Sequence, residues 1–162
     1  MPSRPTELPC GRCDATENAW HGKEDMPVTY FVDKESGILH VKRSGEVTAK
    51  EDDASFEARL ADPAVTVGIP VLVDVTEIKP ADSVERVRCM AERVVRNTIC
   101  LKCGPTAILV ASAVEYGMAR MFMALTDRVH PQTDVFRDAN EALAWLRHAV
   151  PGLTGSSPRS DS

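Results

Sequence analysis

No run of apolar residues in this 162-residue sequence approaches the ~18 needed to cross a bilayer, so no membrane span is expected. The first residues lack the apolar core of a secretory signal, and the expected compartment is the cytoplasm. An excess of positive charge is missing too. The net charge is -5 at pH 7, whereas a duplex nucleic acid calls for a basic face, so no nucleic-acid partner is expected. Catalytic signatures are absent as well: there is no Gly-x-Ser-x-Gly elbow, no phosphate loop and no Gly-x-Gly-x-x-Gly. The four histidines (His21, His40, His130, His148) are scattered through an expected tail, a strand, a loop and a helix end. No catalytic residue, no metal ligand and no cofactor is therefore assigned, and the chain is read as non-enzymatic.

What is there is ordinary globular material, 43% hydrophobic and 27% charged, long enough to bury roughly two thirds of its unfolded surface in one core. Two of its features sit outside that pattern. The five cysteines include two Cys-x-x-Cys pairs, Cys10/Cys13 and Cys100/Cys103, a spacing that in a reducing compartment suggests a metal knuckle before a disulfide. Structural zinc pairs usually lie about 15 to 20 residues apart, and these occupy very different segments, so they are read as reduced thiols without zinc. Residues 1–25 carry prolines, glycines and charges with no period of 2 or 3.6, and 151–162 are Gly, Ser and Pro with little apolar content. Both are expected to be disordered tails around a domain over 26–150.

Within that domain, strand and helix patterns alternate. Val28 to Asp33 and Ile38 to Arg43 are β-prone runs separated by Lys34 to Gly37, whose glycine suits a hairpin loop. Thr48-Ala-Lys-Glu51 is a capping box, and the helix it opens has Phe56 and Leu60 facing inward until Asp62-Pro63 stops it. From Val84 a stripe of Val87, Ala91, Val94 and Val95 has helical spacing, with a loop expected over 97–104 and a strand over 105–111. Ser112-Ala-Val-Glu115 caps a third helix with a core stripe at Val114, Met118, Met121, Leu125 and Val129. Its other side carries Tyr116, Ala119, Arg120 and Met123, read either as covered by a neighbouring segment or as a contact patch for self-association or a partner. Thr133 to Phe136 is a short strand, and Asp138 caps a last helix anchored by Leu143 and Leu146. The expected architecture is an α/β fold, ββαβαβαβα, with about four helices on a mixed sheet of about five strands.

The centre of this arrangement is Ile69 to Thr76, apolar with little interruption, as in a strand covered on both faces. A polar turn leads from it to the helix starting at Val84. The end of such a strand is where open α/β sheets place function, so Asp74, Thr76, Asp82 and Ser83 are the candidate docking or phosphoacceptor loop. Asp82-Ser-Val-Glu85 is also a capping box, so Asp82 or Ser83 could simply hold the helix N-terminus. A phosphate on Ser83 would sit well there, because the helix dipole favours negative charge at that end.

Several pieces resemble the STAS domains, the sulfate-transporter and anti-sigma-factor-antagonist group, and most of all the SpoIIAA-like branch. They are Gly45-Glu46-Val47, Val71-Leu-Val-Asp-Val75, the Asp82-Ser83 pair, Ser112-Ala-Val-Glu115, and Val135-Phe136 followed by Glu141-Ala-Leu143, in matching order across Val28 to Val150. In that family an Asp-Ser-Ser-Gly segment holds a serine phosphorylated by a partner kinase, and the loop docks on an anti-sigma factor. Asp82 and Ser83 match its first two positions; Val84 and Glu85 stand at the others. The resemblance thus implies a bacterial regulatory module that binds protein through the 76–83 loop and the helix over 113–129. The branch's similarity to lipid-carrying folds implies an alternative, a carrier for a small apolar ligand with methionines lining its pocket.

Overall fold

The computed structural model describes residues 26–81, 83–101, 104–129 and 132–150, without the side chains of 98–101. The expected tails at 1–25 and 151–162, Asp82, Cys10, Cys13, Cys103, His130 and the Cys100 side chain lie outside the described residues. The elements follow as β1 (Val28–Asp33), β2 (Ile38–Gly45), α1 (Ala49–Ala61), β3 (Val71–Ile78), α2 (Val84–Leu101), β4 (Thr106–Leu109), α3 (Ala113–Thr126), β5 (Thr133–Phe136) and α4 (Ala139–Ala149). This is the expected ββαβαβαβα order on one five-stranded mixed sheet.

Local chemistry sets most boundaries. Gly37 takes φ 69° in the β1–β2 turn, where its N–H donates to Asp33 O at 2.7 Å. Thr48 and Ser112 each complete the capping box, their hydroxyls accepting from Glu51 N and Glu115 N while those glutamates accept from the cap N–H. The Asp138 carboxylate accepts from Asn140 N and Glu141 N at the start of α4.

Strand order along the sheet equals chain order, β1-β2-β3-β4-β5, with β1 antiparallel to β2 and every later pair parallel. The residues expected at its centre do form the middle strand, but β3 continues past Thr76 to Ile78. It does so through an irregularity: Lys42 pairs with Asp74 and Ser44 with Glu77, so β3 spends one more residue than β2 over that step.

Alternation along the strands assigns the two faces. Ile38, Leu72, Ala107 and Leu109 meet Ala142 and Leu146 of α4, with Phe136 and Trp145 at their margin. On the other face Ile108, Val110 and Val135 meet Ala119, Phe122 and Met123 of α3. Leu39, Val41 and Val71 share that second face, with Val28 and Tyr30 of β1.

Several expected helix faces are corrected. Leu60 is exposed on α1, whose one buried residue is Ser55. Val84 is exposed at the start of α2, and the loop expected from residue 97 is helix as far as Leu101. On α3 the assignment holds in part: Met118 lines the inner side and Tyr116 and Arg120 are exposed as expected, but Val114 is 62% exposed and Leu125 is exposed, whereas Ala119 is 9% exposed. A helix with apolar residues all round satisfies the period on either side, and small Ala119 lets α3 approach the sheet closely.

Candidate functional site

Between the sheet and the row α1, α2, α3 lies a cavity of about 550 Å³. Its floor is Val41, Val71, Val73 and Ile108, each from the inward register of its strand, and its walls include Phe56 of α1, Met90 of α2 and Phe122 of α3. Such a volume and lining are those of small-molecule pockets. Part of the rim comes from the end of β3 and the residues beyond it, with Ile78, Pro80 and Ser83 bordering the space. The extra residue in β3 returns Ile78 to this face, since Val75 also lines the cavity three positions earlier.

Polar groups ring the apolar interior. Arg43 follows Val41 by two on β2 and so faces the same side; its Nη2 lies 3.1 Å from Asp52 Oδ1 of α1, with both side chains largely buried. Its Nε has no hydrogen-bond partner and no access to water. Arg93 of α2 reaches Asp53 Oδ1 at 2.6 Å and also donates to Ala49 O. That hydrogen bond is the main reason the Asp53 carboxyl is held below the usual carboxylate range. At the far end of α1, Tyr30 Oη donates to Asp62 Oδ2 at 3.1 Å; burial first, then this bond, pushes its hydroxyl above the ordinary value. Polar tethers at both ends thus fasten α1 over the cavity, while it buries little of its own surface.

The expected site residues are separated by this geometry. Asp74 sits on β3 between Val73 and Val75, on the face away from the cavity, and its Oδ1 accepts from Thr76 N at 2.9 Å and Thr76 Oγ1 at 2.7 Å. Lys42 and Glu77 pair at 3.0 Å beside it. Ser83 stands on the cavity side, exposed, and its Oγ accepts from Arg86 N at 3.3 Å in the manner of an N-cap. The expected single cluster of carboxylates and hydroxyls is therefore split between sheet faces, with Asp82 outside the described residues. The patch expected on α3 is divided likewise. Tyr116 and Arg120 are exposed, whereas Ala119 is buried and Met123 packs, partly buried, against the cluster of Ile108, Val110, Ala119 and Val135. Among the described residues no three His, Cys, Asp or Glu side chains converge to hold a metal, and no helix is long and apolar enough to cross a membrane.

Arg43, Asp52, Asp53 and Arg93 were not among the residues expected to matter. One signal did point to Arg43. A charge continues the inward series Leu39, Val41 along β2, where an apolar residue belongs unless something polar is to be met.

The element order, the mixed sheet and the placement of α4 opposite the other three helices define an α/β protein of SpoIIAA-like fold. It is similar to the crystal structure of an uncharacterized protein of the DUF3478 family with a SpoIIAA-like fold from Shewanella loihica PV-4. That likeness, at 19% identity and a TM-score of 0.50, covers 74% of this chain and 91% of the other, and it is a likeness of fold. No protein-family model matches the sequence, and no curated protein matches it.

Proposed function

We propose that the protein is a cytoplasmic, non-enzymatic carrier that holds a small apolar ligand between its sheet and α1–α3. The observation that carries this reading is the 550 Å³ cavity, whose floor is built from inward-facing Val41, Val71, Val73 and Ile108. A space of that size among close-packed residues forgoes contacts that a bound apolar molecule would restore. Binding of a neutral naphthylamine dye tests it. The dye is expected to brighten on the wild-type protein and to be displaced by dodecanol. Val73→Phe, which fills the cavity from its floor, should reduce dye binding at least about tenfold. No brightening, or brightening that Val73→Phe leaves unchanged, overturns the reading.

A second reading, docking of a protein partner on the 76–83 loop and α3, is favoured by exposed Val84 beside exposed Ser83 at the α2 N-terminus. The two readings meet at one place, since Ser83 and Pro80 also border the cavity. A partner seated there would contact the same rim that encloses the ligand.

A further inference from the structure

We propose that the ligand is a single-chain amphiphile with an oxyanion head group, a carboxylate or a phosphate monoester, received by Arg43; this rests on the carrier reading above. The side chain is only 13% exposed and belongs to the inward register of β2, two residues beyond Val41 on the cavity floor. Asp52 takes one of its donors, through Nη2 at 3.1 Å. The Nε–H beside that Nη2 has neither an acceptor nor water. A buried charged donor left without a partner is destabilising, and such atoms in folded proteins commonly mark a place that something else occupies. The planar fork of an arginine presents parallel N–H groups that match the two oxygens of a carboxylate or phosphate.

The neighbouring charges favour an anion. The acidic groups at the rim already have partners: Asp52 in Arg43, Glu46 in Lys79 at 3.5 Å, Glu85 in Arg88 at 3.9 Å, and Glu115 in the backbone N–H groups of Ala111 and Ser112. Arg43, Arg59, Lys79, Arg86 and Arg93 line the cavity against Glu46, Asp52, Glu85 and Glu115, a balance of one positive charge that favours an anion over a cation. An alkyl chain running from Arg43 along Val41, Val73 and Ile108 toward Phe122 places its apolar part against apolar walls and its charge beside the Arg43 guanidinium, whose Nε–H it reaches once the side chain turns toward the cavity.

Displacement of the neutral dye separates this inference from the reading it rests on. Laurate, dodecyl phosphate and dodecanol present the same chain with different heads, while acetate and inorganic phosphate present the heads alone. Laurate or dodecyl phosphate should compete at least about tenfold better than dodecanol, and the chainless anions should not compete. The stronger of the two anions then identifies the head group. Arg43→Gln should abolish the preference of the anions over dodecanol, the ratio of the two being the quantity read. Asp52→Asn, which releases the carboxylate already held by Arg43, should tighten the anions several-fold, and it decides the matter should Arg43→Gln fail to fold. Equal competition by all three chains, or an anion preference that neither variant moves, overturns the oxyanion site and leaves the carrier standing. A protein that binds neither the dye nor any chain overturns both.

Discussion

Arg93 Nη2 of α2 lies 2.6 Å from Asp53 Oδ1 of α1 and donates as well to Ala49 O, so one guanidinium binds the first turn of α1 to the neighbouring helix. Asp52, the adjacent residue, is held from below by Arg43 of β2. With only Ser55 buried, α1 is retained over the cavity chiefly by polar contacts at its ends rather than by an apolar stripe. A helix held this way opens locally more readily than the sheet beneath it.

Arg93→Ala should therefore raise amide hydrogen exchange across 49–61 several-fold while leaving the global melting temperature nearly unchanged. Exchange that stays slow in α1, or that rises equally in β3 and β4, would count against a separately opening helix.

His40 gives a pH dependence of definite sign. Its ring stacks on Phe31 with centroids 4.5 Å apart, and burial holds it below the ordinary value of 6.5, with Asp33 opposing weakly. The unfolded chain takes up a proton near pH 6.5 that the folded chain refuses, so this contribution to stability is complete above that pH and is lost as pH falls toward the folded value. Urea unfolding between about pH 7.5 and about pH 5 should show stability falling, and His40→Gln should flatten the slope. An unchanged slope in that variant assigns the effect elsewhere.

At Ser83, cap and switch respond differently to negative charge. Ser83→Ala should cost about 0.5 to 2 kcal/mol through loss of the Arg86 N–H bond, while Ser83→Asp should be nearly neutral, because aspartate caps as well and suits the dipole. A pull-down in which Ser83→Asp retains every partner of the wild type would remove the regulated-docking reading of this loop.

The two sides of α3 should separate on substitution. Tyr116→Glu is expected to leave stability within about 0.5 kcal/mol, whereas Met123→Glu, placing a charge against the apolar cluster around Val110, should cost about 2 kcal/mol or more. Equal tolerance of both would put Met123 at a surface.

Gly104 is sterically required. A Cβ there would stand 2.2 Å from Gly68 O, a backbone atom that cannot swing aside, so Gly104→Ala should destabilise by about 1 to 3 kcal/mol. A neutral result by thermal melting would mean that the two loops are free to part.

The elements were legible because their signals are local. Hydroxyl caps at Thr48 and Ser112, the glycine turn at Gly37 and the apolar run from Val71 each fix a boundary within a few residues. Helix orientation was not, because α3 is apolar on both sides and only the sheet decides which side it buries. The end of α2 was misplaced for a related reason: no Pro or Gly precedes Gly104 to stop it. The cavity itself has no periodic signature, since a void is the difference between surfaces far apart in sequence. Only Arg43, a charge at an inward strand position, hinted at it.

The agreement between strand order and chain order has a kinetic meaning. β2 pairs with β1 across a tight turn, and each strand from β3 onward pairs with the strand that precedes it across one helical connection, so no pairing waits for a distant segment. Short loop closures of this kind keep contact order low for a largely parallel sheet and favour rapid assembly. During synthesis the sheet can then grow from β1 toward β5 as the chain emerges, each new edge being covered by the next strand to leave the ribosome.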